Sequence, residues 1–218
     1  IENIIGTQYD DVIFGNDANN LIYEFGGNDL IDGRGGTNTV AYVGKRSEYN
    51  IKPSEVDKHW LVEGKNGILG SDDLTNVQYL QFADSKVILD VAGNPTMAAK
   101  LIGVILGGTW VSNLFIAGLA KGILDNGYTP ATLARLGLES AMFVGLAGSA
   151  SNKDFYNLVY KTVYGTLPSA STLQTALSQM DSGQATQADM GMSLVDVPQN
   201  LLNINLVGIQ SQGFEYVS

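Results

Sequence analysis

Acidic and amide side chains recur at nine-residue intervals near the start of the chain, and this spacing suits the binding of a hard metal ion. Written in rows of nine from residue 6, the sequence reads GTQYDDVIF, GNDANNLIY, EFGGNDLID and GRGGTNTVA. The sixth position of each row is Asp or Asn, namely Asp11, Asn20, Asp29 and Asn38. Calcium prefers carboxylate and carbonyl oxygens as ligands. The series therefore predicts calcium binding by side chains of this column.

Each row combines a turn with a strand. Gly, Asn and Asp in the first six positions favour a turn with positive backbone dihedrals, and the last three positions favour a short strand around a branched apolar residue. That residue is in the eighth position, as Ile13, Ile22, Ile31 and Val40. If each row makes half a coil, rows two apart stack on the same side. Side chains 18 residues apart then face each other.

The stacked pairs predict two sites of different strength. Asp11 and Asp29 face each other on one side and predict the stronger calcium site. Asn20 and Asn38 offer neutral oxygens on the other side, so we expect weaker binding there unless Asp17 or Asp32 contributes. The alternative is a small β-helix with ordinary Asx turns and no metal.

Folding of this region is expected to depend on the ion. The five aspartates of the rows repel one another without a cation, and the short strands bury too little surface to offset the chain entropy. They are Asp10, Asp11, Asp17, Asp29 and Asp32. Binding free energy would then supply folding free energy.

The rows resemble the calcium-binding repeat GGxGxDxUx of RTX proteins, with GGNDLIDG at residues 26–33 as the best copy. Glu24 and Phe25 stand where the repeat has two glycines. The resemblance implies a parallel β-roll with carbonyl ligands near Gly6, Gln8, Phe25 and Gly27. It also implies a secreted protein that a type I ABC exporter carries out of the cell.

Residues 43–94 continue as short strand patterns separated by turn signals, among them EYNIK, HWLVEG and KVILD. Residues 70–90 resemble the segment that closes the open end of the roll after RTX repeats, where an exposed edge strand would otherwise remain. Asp72, Asp73 and Asp84 could add calcium ligands, but solvated turn carboxylates explain them more simply. The single histidine, His59, is expected to be a surface or packing residue.

The composition changes near Asn94 and Pro95 toward Ala, Leu, Gly and Ser, and helical periodicity follows. Residues 96–218 resemble a helical domain of unknown function found at the carboxy termini of many RTX proteins. The final FEYV resembles an uncleaved carboxy-terminal secretion signal. Residues 101–120 carry no charge, but Gly107, Gly108 and Thr109 interrupt the run, which favours two buried helices over a membrane span.

The predicted fold class is therefore a multidomain α+β protein. A parallel β-roll occupies residues 1–42, an antiparallel β cap residues 43–94, and an all-α domain with the secretion signal residues 95–218. We expect the chain to be the carboxy-terminal part of a larger protein.

Charge and composition argue against several classes of function. The formal charge is -10, with 15 acidic and 7 basic residues up to residue 95 but 7 and 5 beyond it. Such a surplus repels nucleic acid and anionic lipid. The chain has no cysteine, which excludes disulfides and thiolate sites. It also lacks the G-x-S-x-G, P-loop and H-E-x-x-H motifs, so we expect no enzyme.

The sequence thus predicts a non-catalytic, calcium-binding region of a type I secreted surface or extracellular protein, of the S-layer, adhesin or matrix kind. Its expected partners are the exporter and, on the cell surface, a second copy or a polysaccharide. Gly103 and Gly107 would allow close helix approach in self-association. The alternative is an export and folding module of a secreted protease, lipase or epimerase whose catalytic domain lies upstream.

Overall fold

The computed structural model describes residues 2–54, 59–65, 67 and 69–217. The chain divides into two compact units. The first comprises Ile1–Val91 together with Val207–Ser218, and the second comprises Ala92–Leu206. The metal-binding column predicted from the sequence lies in the first unit.

The first unit is built from short strands. In chain order they are Glu2–Ile5 (β1), Val12–Phe14 (β2), Asn20–Tyr23 (β3), Leu30–Asp32 (β4), Thr39–Ala41 (β5), Tyr49–Pro53 (β6), His59–Gly64 (β7), Ser71–Thr75 (β8), Tyr79–Gln81 (β9), Lys86–Ile88 (β10) and Phe214–Tyr216 (β11). They form two mixed sheets, ordered β1-β3-β5-β9-β10-β11 and β2-β4-β8-β7-β6.

Strands of successive rows alternate between the two sheets, so that rows two apart are neighbours. Glu2 pairs with Asn20 in parallel, and Val12 pairs with Leu30, each at an offset of 18 residues. The stacking interval predicted from the rows is therefore present. Two strands of the later β region continue the parallel order, since β8 pairs with β4 and β9 with β5.

The eighth column forms the core between the sheets. Its side chains are all buried: Ile13, Ile22, Ile31 and Val40. Leu74 of β8 and Leu80 of β9 extend the same cluster and are fully buried. Burial of each aliphatic side chain of this size contributes about 1.5–3 kcal/mol.

Antiparallel strands complete both sheets. β6, β7 and β8 form a meander in one sheet, and β9, β10 and β11 form one in the other. The position of β11 corrects the prediction that residues 95–218 form one helical domain, because Phe214 pairs with Ile88 of the first unit. The reason is local, since Phe214 and Tyr216 are buried on alternate positions while Glu215 is half-buried.

The second unit is helical throughout its described elements. The helices are Asn94–Ile105 (α1), Leu114–Asp125 (α2), Pro130–Glu139 (α3), Ala141–Ala147 (α4), Asn152–Tyr164 (α5), Ala170–Asp181 (α6), Gln187–Met192 (α7) and Pro198–Asn203 (α8); Leu206–Gln212 (α9) follows across the boundary. Thr186 and Asp189 form a capping box at the start of α7. The uncharged run of residues 101–120 is split between α1 and α2, with a short 3-10 helix at Gly108–Ser112 between them. In the described part of the chain, no helix has the length and apolarity that crossing a membrane requires.

Candidate metal centre

The turn between β3 and β4 carries a buried carboxylate at each end. Glu24 and Asp29 are 1% and 3% exposed. Between them, Gly26 and Gly27 adopt φ angles of 121° and 108°, a conformation that glycine enters without a Cβ penalty. The Gly26 backbone N–H donates to Glu24 Oε1. The turn thus folds back and brings its two acidic ends to the same interior.

A third carboxylate reaches this interior from β8. Asp72 is 1% exposed, and its Oδ1 accepts a hydrogen bond of 3.0 Å from the backbone N–H of Asp29. One carboxylate oxygen from each of Glu24, Asp29 and Asp72 lies within 4.8 Å of the others. These three residues form the buried acidic cluster.

Two oxygens of the buried acidic cluster have no hydrogen-bond partner. They are Glu24 Oε2 and Asp29 Oδ2. A buried acceptor without a partner costs about 1–3 kcal/mol, and more when it is charged. None of the ion pairs among the described residues involves the cluster. A cation bound between the three carboxylates would satisfy both oxygens and offset the negative charge, so the residues fit a hard metal ion.

The buried acidic cluster has strongly perturbed proton affinities. Burial, together with the charge of Asp72, raises the pKa of Glu24 to about 8. Burial likewise raises the pKa of Asp72 to about 7, with Asp29 adding to the effect. The pKa of Asp29 is raised as well, mainly by burial. A bound cation would favour the ionised forms, so metal binding releases protons.

Tyr42 supports one member of the cluster. Its hydroxyl donates to Asp72 Oδ2 at 3.1 Å, and burial raises its pKa well above the ordinary value, so that it remains a donor. Tyr42 lies 18 residues after Glu24, in the column that begins each row. Gly6, Glu24 and Tyr42 therefore occupy equivalent positions on one side of successive coils.

A hydrogen-bond ladder connects the cluster to the first row. The backbone N–H of Asp11 donates to Asp29 Oδ1 at 2.8 Å, just as that of Asp29 donates to Asp72. Asp11 Oδ2 accepts from the backbone N–H and the hydroxyl of Thr7. The structure thus brings the predicted pair Asp11 and Asp29 together, and adds Asp72 as the next rung.

No family model matches this chain. No curated protein matches it either. Among solved structures, it is similar to the crystal structure of the extracellular lipase LipA from Serratia marcescens, with 13% identity and a TM-score of 0.21. The match covers 38% of this chain and 14% of the lipase chain. A likeness at this TM-score carries no inference about fold or function.

The four predicted carbonyl ligands lie around the same turns. Gly6 donates its N–H to the Tyr23 carbonyl at 2.9 Å. Gly27 packs against the backbone of Tyr9, where a Cβ would lie 2.5 Å from the carbonyl carbon. Gln8 and Phe25 are exposed. Their calcium contacts remain predictions of the RTX resemblance.

The opposite side of the coils is an amide ladder. Asn38 Oδ1 accepts from the backbone N–H of Asn20 at 3.0 Å and from its Nδ2 at 2.7 Å. Gln78 extends the ladder, because its Oε1 accepts from the Asn38 N–H. Asp17 is exposed, and Asp32 Oδ1 accepts from Asn76 Nδ2 and the Arg34 N–H. The weaker predicted site thus has no buried carboxylate among the described residues.

His59 of β7 lies beside two polar side chains of β8. Its Nδ1 is 2.8 Å from Asp73 Oδ1, and Thr75 Oγ1 is 3.1 Å from Nε2 and 3.3 Å from Nδ1. A nucleophilic hydroxyl must point along the lone pair of one ring nitrogen. A hydroxyl almost equally distant from both nitrogens does not, so the group suits a structural role.

Sequence reasoning missed two contributors and misjudged a third. Glu24 was treated only as a departure from the glycine repeat, and Tyr42 was not considered. Both stand in the column where other rows have glycine, and this is the signal that could have found them. For Asp72 the sequence favoured a solvated turn residue over an additional calcium ligand. It is instead buried, because the alternation of β8 turns Asp72 and Leu74 inward. Asp84 is exposed, as a solvated turn residue would be.

Proposed function

We propose that the first unit is a non-catalytic calcium-binding module that folds when calcium binds, within a type I secreted bacterial surface or extracellular protein. The observation that carries this proposal is the burial of the Asp29 carboxylate with one oxygen that has no hydrogen-bond partner. The carboxylate lies in register between Asp11 and Asp72, and the oxygen without a partner is Oδ2. The RTX resemblance of the rows supports the same function.

The donor chemistry favours calcium. The buried acidic cluster offers only carboxylate oxygens, and turn carbonyls lie in the adjoining rows. Hard oxygen ligands in variable number suit calcium, whereas Mg²⁺ requires a tight octahedron and retains water. Soft or borderline metals prefer the thiolate and imidazole ligands that the cluster lacks.

The energetics favour coupling of binding to folding. Three buried carboxyl groups without a cationic partner oppose closure of the coils, since desolvation of each ionised group costs several kcal/mol. A metal ion that binds only the folded form reverses this balance. A first unit of this kind would stay unfolded at low calcium inside the cell and fold at high calcium outside it. That behaviour suits export by a type I ABC exporter and assembly as a surface layer, adhesin or matrix component.

We propose a non-catalytic module because the side chains around His59 are not arranged for nucleophilic catalysis. Thr75 is not aligned with either ring nitrogen, and the acidic cluster is enclosed rather than open to a substrate.

Circular dichroism and thermal melting of the whole chain, in calcium and in excess chelator, test the proposal. We expect calcium to increase the β signal and the melting temperature, and expect the double variant Asp11→Ala/Asp29→Ala to lose this response. Glu63→Gln, which removes a carboxylate outside the repeats that pairs with Lys52, is the matched control and should respond like the wild type. An unchanged β signal and melting temperature after removal of calcium from the wild type would contradict the proposal.

A further inference from the structure

Glu24 stands at the row position where the neighbouring repeats have glycine. The equivalent position is Gly6 one coil earlier, and Gly15 and Gly33 begin the rows on the other side. A glutamate here places a carboxylate in the interior of the unit, where only 1% of the residue is exposed. Its presence at a buried position implies a compensating partner.

We propose that Glu24, Asp29 and Asp72 form an internal calcium site that fastens the repeat coils to β8. This site is distinct from the turn-carbonyl ligands implied by the RTX repeat, because Glu24 and Asp72 lie outside the repeated column. The inference rests on the proposed function, with which it shares calcium and Asp29.

Four of the six carboxylate oxygens of the cluster accept hydrogen bonds from the chain. The backbone N–H of Gly26 donates to one oxygen of Glu24, and the backbone N–H of Asp11 donates to one oxygen of Asp29. Both oxygens of Asp72 accept hydrogen bonds, from Asp29 and Tyr42. The free oxygens are therefore one from Glu24 and one from Asp29, both buried. Each faces neighbouring carboxylates and has no protein donor to accept from.

The three proposed ligands come from two segments that are far apart in the sequence, so a shared ion would link those segments. Asp29 and Asp72 are 43 residues apart in the chain, and the segment between them contains β6 and β7. β8 pairs in parallel with β4 on one edge and antiparallel with β7 on the other. An ion shared by Glu24, Asp29 and Asp72 would hold the antiparallel meander against the last coil of the repeats. Loss of the ion would loosen this join first.

The competing explanation is a proton-sharing cluster without metal. In that case an uncharged isostere at Glu24 would have no effect on calcium binding. In the calcium site, Glu24→Gln has opposite effects in the two buffers. In chelator it removes the cost of burying an ionisable group and raises the melting temperature, whereas in calcium it removes a ligand and reduces the rise that calcium produces. Opposite signs of this kind are not expected from a purely structural residue.

Isothermal titration of the whole chain with CaCl2, together with melting in both buffers, tests the site. For Glu24→Gln and Asp72→Asn we expect loss of one bound ion, or binding weakened by at least about 100-fold, because loss of a mere hydrogen-bond partner of a metal ligand already costs roughly 10- to 100-fold. The control is Glu63→Gln, which removes a half-buried carboxylate outside the repeats that pairs with Lys52. This control should bind calcium as the wild type does.

The outcomes separate this inference from the proposed function. If the wild type takes up calcium and Glu24→Gln binds the same number of ions equally tightly, the internal site is refuted while the calcium module stands. If the wild type takes up no calcium, both are refuted. Glu24→Gln is the decisive variant because it preserves side-chain size and relieves repulsion, so it folds under conditions where Asp72→Asn could fail.

Discussion

The backbone N–H of Asp29 donates to Asp72 Oδ1 at 3.0 Å, although 43 residues separate the two in the chain. The same contact recurs one coil earlier, where Asp11 donates to Asp29 over an interval of 18 residues. Asp72, which lies outside the nine-residue repeats, thus continues the hydrogen-bond ladder that Asp11 and Asp29 begin. In our proposal, calcium binding and attachment of the meander therefore depend on the same side chains.

Asp29 should matter more than Asp11 for calcium binding. Asp29 is buried and has one unpartnered oxygen, whereas Asp11 is half-buried and is already bonded to Thr7. We expect Asp29→Ala to abolish calcium-dependent folding and Asp11→Ala to weaken it. A calcium titration followed by circular dichroism measures both midpoints. Equal midpoints for the two variants would contradict this ranking.

Without calcium, stability of the first unit should decrease as pH rises. Glu24 and Asp72 have ordinary pKa values of 4.5 and 3.8 in the unfolded chain and values of about 8 and about 7 when folded. Groups with raised pKa values contribute stability that is fully present below the unfolded pKa and is lost as pH rises through the folded pKa. Urea unfolding in chelator between pH 4 and pH 9, roughly the span of these values, should show this decline. Stability that increases over the range would count against a buried, uncompensated cluster.

Glu24→Gln supplies the control for the pH series. The variant cannot ionise at this position, so its stability in chelator should depend less on pH between about 4.5 and about 8. The stabilisation from calcium should grow with pH in the wild type, because the ion competes with fewer protons.

The Tyr42 hydroxyl should increase calcium affinity through its hydrogen bond to Asp72. Removing its hydroxyl with Tyr42→Phe deletes the donor to Asp72 Oδ2 and leaves the aromatic packing with Tyr49 and Phe82 in place. We expect affinity to fall by about 10-fold without a change in stoichiometry, as for other partners of metal ligands. Calorimetry measures the change. A role in packing alone would instead lower the melting temperature equally with and without calcium.

The sequence predicts much of the first unit and less of the candidate site. The nine-residue rows predict the turns, the buried eighth column and the 18-residue stacking, because each depends on local residue types and a regular interval. The pairing of β8 with β4 depends on contacts between distant segments, so it could not be read from the rows. Asp72 was misjudged for this reason. The same limit applies to β11, whose partner β10 precedes the whole helical unit.

Gly70 should be essential for attachment of β8 to the Glu24–Asp29 turn. A Cβ at Gly70 would lie 1.5 Å from the Gly27 carbonyl oxygen, and the residue has a φ of 79°. Gly67 is the matched control, since its φ is 66° but a Cβ there meets nothing within 4 Å. Each alanine variant loses about 1–2 kcal/mol from the left-handed backbone. We expect Gly70→Ala to lose clearly more stability in urea unfolding and to bind calcium weakly, and similar losses in both variants would argue against this close approach.

Hydrogen exchange of the whole chain, read by mass spectrometry in calcium and in chelator, shows which segments calcium orders. We expect calcium to slow exchange strongly in residues 20–41 and 71–81, which surround the buried acidic cluster. Residues 94–203 of the helical unit should exchange at similar rates in both buffers and so act as an internal reference. Equal protection of residues 20–41 and 71–81 with and without calcium would contradict the claim that the ion drives folding of the first unit.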